Sequence, residues 1–398
     1  MLTRGIFIVG AKRTPFGSFG GSLKNLTATE LGVLSTKAAL SQANITSDHV
    51  GAIYFGNVIQ SFSDAAYLAR HVGLKSGCPI STPALTINRL CGSGFETVAL
   101  GADAIMLKKA DVVVCGGTEN MSSAPMTLDG NAARWGVGLG AGLKMEDSLW
   151  SGLTDAHVGT PMGITAENLA EKYSISREEC DEYAIRSQQL WGKAKEAGHF
   201  DLEMANVEVT TKKGTKVIDT DEHPRPSTEL AKLASLKPVF KKDGVVTAAN
   251  ASGICDGAGS IILASEEAVV KHNLQPLARL VSYHVSGCDP TIMGIGPAPA
   301  IRASLEHAGI ALDDVDRIEI NEAFAAQYLA CEKELGIDRE KSNINGGAIS
   351  LGHPLGASGS RIVAHLANEY ARTTGSKYHL GAACIGGGQG IAVLLERT

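Results

Sequence analysis

Short apolar runs alternate with stretches of helical spacing along the first third of the chain. Residues 6–9 predict a buried strand, 27–42 a helix with Thr27 available as its cap, 50–55 a second strand and 65–72 a further helix. Pro83-Ala84-Leu85-Thr86-Ile87 reads as extended. Val98, Leu100, Ile105 and Leu107 then fall on a helical pattern that runs to Lys109, and Val112-Val113-Val114-Cys115 is a strand ending in Gly116-Gly117. Strand and helix in alternation predict a mainly parallel sheet with helices on both faces.

The pattern repeats at an offset of 265 residues. Adding 265 carries Leu40, Ala43, Ile45, Asp48, Val50 and Ile53 onto identical residues of 305–320, and Phe55 onto Ile320. The same offset carries Ser93-Gly94 onto Ser358-Gly359 and Val98-Ala99 onto Val363-Ala364. One offset kept across separate segments marks an internal duplication. The expected fold is α/β: two duplicated, mainly parallel halves packed against each other in layers, with helix N-termini converging from Cys91 and from 356–359.

Between the halves the text changes. Residues 129–142 are rich in glycine, helices are expected over 165–173 and 176–197, and Ser176 with Glu179 forms a capping box. A basic, hairpin-like Thr211-Lys212-Lys213-Gly214 and a turn-rich 222–226 follow. This reads as an insertion forming a lid over a site. The expected division is 1–120 with 247–270, the insertion 121–246, and 271–398.

Composition narrows the class. With 398 residues, 20% charged, 5% aromatic and 46 glycines, the chain is that of a globular enzyme with many tight turns. A net charge of −6 argues against a nucleic-acid partner, and no apolar run is long enough to span a bilayer. The eight cysteines stand at least 13 residues apart, so no C-x-x-C pair and no metal site is expected, and a reducing compartment is the natural reading. The first 29 residues are basic and free of acids. That is the composition of a mitochondrial address, left uncleaved because the strand at 6–9 belongs to the fold. A chance basic N-terminus, and hence a cytoplasmic enzyme in a bacterium, is the other reading. Leu395-Glu396-Arg397-Thr398 is not the peroxisomal S-K-L signal.

Asn88-Arg89-Leu90-Cys91-Gly92-Ser93-Gly94 places Cys91 at a strand-to-helix turn, where helix N–H groups favour thiolate over thiol and can hold an oxyanion. A small cysteine buried under a helix fits this stretch equally well. Three further turns stand out. Glu319-Ile320-Asn321-Glu322 lies at a strand's C-terminal end, where open α/β sheets place ligands. His353 precedes Pro354 and a helix start. Cys384 precedes Gly386-Gly387-Gly388, which match no phosphate-binding glycine motif. Two cysteines and a histidine facing one cleft supply a nucleophile, a base and a second acid/base.

With these motifs in this order, the chain resembles the thiolase family over essentially its whole length, from Ala11-Lys12-Arg13-Thr14-Pro15-Phe16-Gly17 to the last strand. The resemblance implies the thiolase fold and thiolytic cleavage of a 3-ketoacyl-CoA by coenzyme A, a co-substrate, with no cofactor bound permanently. It implies that Cys91 carries the acyl group, His353 activates it, and Cys384 moves a proton on and off the acetyl carbon or the CoA thiol. It implies two oxyanion holes, one from His353 with a water on Asn321, the other from the N–H groups of Cys91 and Gly386. It assigns Arg225, Thr228 and Ser252 to coenzyme A, and Phe324 and Met293 to the border of the acyl tunnel. Family members are commonly homodimers or homotetramers. Pro161 before Met162 departs from the His-Met pair of acetoacetyl-CoA-specific members and favours longer acyl chains. The alternatives are an acetoacetyl-CoA thiolase running in the condensing direction and, from another class, a decarboxylating condensing enzyme of the ketoacyl synthase kind.

Overall fold

The computed structural model describes residues 4–212 and 214–398, so Lys213 of the basic hairpin and the first three residues of the basic N-terminus lie outside the described residues. Among the described residues the central sheet has ten strands, nine of which are β1 (Ile6–Arg13), β2 (Ala52–Gly56), β3 (Ala84–Ile87), β4 (Val112–Asn120), β5 (Cys255–Ser265), β6 (Ala278–Gly287), β7 (Val315–Ile320), β8 (Tyr378–Ile385) and β9 (Gln389–Glu396). Their order is β7-β8-β9-β6-β1-β5-β4-β2-β3, with the short Gly17–Ser18 strand beside β5.

This order shows the duplication directly. The first half runs β1-β5-β4-β2-β3 and the second β6-β9-β8-β7, so β1, β5, β4 and β2 correspond to β6, β9, β8 and β7. Each half is parallel except for one strand: β5 runs against β1 and β4, and β9 runs against β6 and β8. The reversed strand has a local cause. β8 and β9 form a hairpin whose turn is 386–388, and a tight turn can join only antiparallel neighbours. In the first half, residues 121–254 stand where that turn would be. The insertion therefore emerges from the same end of its sheet as the Gly386 turn does from the other.

Two helices separate the half-sheets. The Ser93–Met106 helix packs on β2 and β4 and reaches β9, while the Ser358–Glu369 helix packs on β1, β5 and β8. The Ala28–Gln42 helix, opened by a Thr27–Glu30 capping box, covers the outer face of the first half, and the Pro297–Ala308 helix that of the second. The central helices start 265 residues apart, at Ser93 and Ser358, and cross at their second residues. A Cβ on Gly94 would lie 2.4 Å from the Ser360 nitrogen, and one on Gly359 would lie 2.3 Å from the Phe95 nitrogen. No side chain fits at either place.

Several elements outrun the expectation. β1 continues to Arg13, and β4 runs on through Gly116 and Gly117 because pairing with Phe55 and Gly56 continues. The basic N-terminal residues are built into the core region: Arg13 is fully buried between Glu203 (2.7 Å) and Asp221 (2.6 Å). The Ser176 capping box forms as expected and opens the Arg177–Glu196 helix.

Gly359→Ala should lower stability by about 1–3 kcal/mol in urea unfolding, the usual result of overpacking. Gly138→Ala, where an added Cβ meets nothing within 4 Å, is the control expected to change nothing.

Candidate active site

Cys91 hangs on the turn between β3 and the Ser93–Met106 helix. Leu90 adopts a left-handed φ of +46°, a conformation costing about 1–3 kcal/mol in a non-glycine residue. Local hydrogen bonds hold it. Leu90 N–H donates to Asn88 Oδ1 (2.9 Å), Arg89 N–H to Ser93 Oγ (2.8 Å), and the Ser93 hydroxyl donates to the Leu90 carbonyl (2.7 Å). The turn lifts the Cys91 sulfur within reach of its own N–H and that of Gly386.

His353 sits in the equivalent turn before the other central helix. The Ser358 hydroxyl donates to the Pro354 carbonyl (3.0 Å) and so accepts from His353 Nδ1–H (2.6 Å). That leaves Nε2 as the unprotonated, hydrogen-bond-accepting nitrogen of the ring. Asn321 Nδ2 donates to Nε2 at 3.3 Å, while Asn321 Oδ1 is buried with no partner among the described residues. Glu322 has a different task. Its carboxylate accepts from Tyr183 (2.8 Å), Ser187 (2.7 Å), Asn343 (2.9 Å) and Ile349 N–H (3.1 Å), which bolts the insertion's long helix to the second half.

Cys91 and His353 face one cavity of about 350 Å³, together with Ser252, Met293 and Phe324. Cys384 is fully buried just behind that wall, packed on Met293, Ala323 and Phe324. A second cavity of about 250 Å³ adjoins it, sharing Cys91, Leu153, Met162 and Leu355 and reaching Gly386. The insertion walls the first cavity with Met121, Leu149, Trp150, Pro161, Met162 and Phe240. The basic hairpin, expected over the site, is elsewhere: its feet Val207 and Ile218 pack with Leu23, Leu31 and Ala258, because its apolar positions are satisfied there. Arg225 and Thr228 do not line the cavity. The exposed Arg225 guanidinium folds back on the carbonyls of Glu222, His223 and Pro224 (2.7–2.8 Å). The His223 ring of the same turn lies against Gly253, beside Ser252.

Electrostatics correct one expectation. Burial pushes the Cys91 thiol up to about 11, against the pull of the Gly386 and Cys91 N–H groups, and the Glu119 charge adds to the push. Cys91 precedes the helix, with Gly92 in the cap position, so loss of water outweighs the helix end and the resting group is a thiol. Burial, with the Arg361 cation nearby, brings the His353 imidazole down to about 3, so it is neutral at every physiological pH. Burial pushes Cys384 well above the thiol range, and the neighbouring sulfur of Cys91 adds to this. Among the described residues, no group of three or more His, Cys, Asp or Glu side chains could hold a metal ion, and no helix is long and apolar enough to cross a membrane.

Comparison with known proteins places this arrangement. Residues 6–267 match the thiolase N-terminal domain and 274–397 the thiolase C-terminal domain. The chain belongs to the thiolase family. This thiolase is 60% identical to the human mitochondrial 3-ketoacyl-CoA thiolase, over all of this chain and 99% of that one. The crystal structure of the human protein superposes with a TM-score of 0.98 over 100% of both chains, and its complex with CoA with a TM-score of 0.97 at 59% identity, over 100% of this chain and 99% of that one. An acetyl-CoA acetyltransferase from Escherichia coli is 47% identical over 98% of each chain. The role of Ser358 escaped the sequence reading, whereas Glu322, read there beside Asn321 at a strand end, ties the insertion's helix to the second half. The signal for Ser358 was present, since the offset that revealed the duplication pairs it with Ser93, the residue holding the Cys91 turn.

Cys91 and Cys288 are half-buried and the other six cysteines buried. Iodoacetamide should therefore modify these two first. Their rates should climb only as pH approaches about 11, because a raised pKa leaves the thiol protonated below it. Peptide mass spectrometry reads this, and a midpoint at the ordinary thiol value of about 8.5 would contradict it.

Proposed function

We propose that this thiolase is a 3-ketoacyl-CoA thiolase, cleaving 3-ketoacyl-CoA with coenzyme A to give a shortened acyl-CoA and acetyl-CoA in fatty-acid β-oxidation. The observation that carries the reading is the pairing of two turns on one cavity: Cys91 with two N–H groups at its sulfur, and His353 with Nδ1–H tied down and Nε2 left as the acceptor. The thiol of Cys91 attacks the 3-keto carbon and gives its proton to His353 Nε2. The bond between C2 and C3 breaks, leaving acyl-Cys91 and an acetyl-CoA enolate. The Cys384 thiol protonates the enolate carbon. A second coenzyme A then gives its proton to the Cys384 thiolate and attacks the acyl-cysteine, and Cys91 recovers its proton from His353.

The oxyanions fall to two sets of donors. The N–H groups of Cys91 and Gly386 serve the acyl-cysteine carbonyl, and His353 with a water on the unpartnered Asn321 Oδ1 serves the enolate. Each such donor contributes about 3 kcal/mol. Ser252 meets coenzyme A at the cavity rim, with Arg225 and Thr228 outside it, and Phe324 and Met293 border the acyl group. We assign 1–120 with 247–270 and 271–398 to the two halves and 121–246 to the insertion. A mitochondrial location follows the named mitochondrial relatives. Exposed Met126, Trp135, Leu139 and Met145 on the insertion support a homodimer or homotetramer that covers them.

Thiolysis assayed over 3-ketoacyl-CoA substrates of increasing length should give product at several lengths. Cys91→Ala should lose about 10⁴-fold or more of kcat. Activity confined to the four-carbon substrate would favour an acetoacetyl-CoA thiolase instead.

A further inference from the structure

Glu119, near the end of β4, is fully buried, and its carboxylate faces four neutral donors. Asn57 Nδ2 (2.9 Å) and Ile59 N–H (2.9 Å) donate to Oε1, and Val58 N–H (3.1 Å) and Gly356 N–H (2.9 Å) to Oε2. Gly356 lies in the turn between His353 and its Ser358 clamp. On the other side, Asn88 of the Cys91 turn donates to the Val58 carbonyl at 3.2 Å. One hydrogen-bonded path therefore runs from the Cys91 turn through Val58 and Glu119 to the His353 turn. The Glu119–Gly356 bond is where this path crosses from one half of the molecule to the other.

We propose that Glu119 is the positioning residue that sets His353 against Cys91, by holding the 57–59 loop and the Gly356 turn on a single carboxylate. The proposal takes Cys91 as nucleophile and His353 as base, as argued above. The titratable groups facing Glu119 are Asp256 and Cys91.

Glu119→Gln keeps the size of the side chain but sets an amide NH₂ against N–H groups it cannot pair. With the parent first assayed for thiolysis, this variant should lose about 100-fold in kcat, with KM for coenzyme A changed less than about threefold, as small misplacements of reacting groups do. The pH midpoint of its Cys91 alkylation should fall, because a negative charge near the thiolate has gone. Glu119→Asp keeps the charge, so it should leave that midpoint in place and recover part of kcat. Should Glu119→Gln fail to fold by circular dichroism, Asn57→Ala removes one donor from the same carboxylate and should lower kcat about tenfold with KM unchanged. The proposal is overturned by a folded Glu119→Gln enzyme with parental kcat, by an unmoved alkylation midpoint, or by an unaffected Asn57→Ala enzyme where that variant carries the test. A parent that cleaves no 3-ketoacyl-CoA overturns the functional reading alone, and the alkylation midpoints still decide the role of Glu119.

Discussion

The geometry of the whole site depends on how closely two helices approach. At Gly94 and Gly359 the backbone of each central helix fills the space a Cβ would need on the other. Cys91 stands three residues before the first of these glycines and His353 six before the second, so the crossing sets how far apart the two groups can lie. A hydrogen bond could be exchanged for another of similar strength. Contact between two backbones has no substitute, because any side chain wedges the helices apart and carries the two turns with them.

The duplication supplies the same local device twice and lets the halves diverge around it. In each half a serine opens the central helix, its hydroxyl donating to a carbonyl of the preceding turn and accepting from a group within that turn. Ser93 accepts the Arg89 N–H and so holds a strained backbone, whereas Ser358 accepts the His353 ring and so selects its tautomer. The insertion shows the same divergence on a larger scale. It occupies the place of the β8–β9 turn, which brings its walls to the cavity end of the sheet. Its partner turn, 386–388, brings the Gly386 N–H to Cys91 from the opposite half.

What depends on spacing along the chain was legible in the sequence: the 265-residue repeat, the cap at Thr27, the capping box at Ser176, and the turns carrying Cys91, Asn321, His353 and Cys384. What depends on partners distant in sequence was not. Glu119 reaches Gly356 across 237 residues, and no periodicity encodes that bond. The basic hairpin misled because its charge is visible in the sequence, while the apolar feet that decide where it docks bury against residues 23–31. Cys91 misled in the same way. A helix start is a local feature, but the burial that keeps the thiol protonated comes from every element around it.

That protonated state bears on how the site works. With Cys91 raised to about 11 and His353 lowered to about 3, the resting pair is neutral, not a thiolate beside an imidazolium. In the proposed cycle the proton crosses from sulfur to Nε2, so the charges would appear together and each would relieve the penalty on the other. Burial thus makes a lone thiolate expensive while leaving the coupled transfer accessible. In the proposed cycle the transfer then waits for a carbonyl in the grip of the Cys91 and Gly386 N–H groups, since only there does the new negative charge move off sulfur onto an oxygen with donors ready. A thiol held this way is protected from oxidation between turnovers, because the thiolate is the form that oxidants attack.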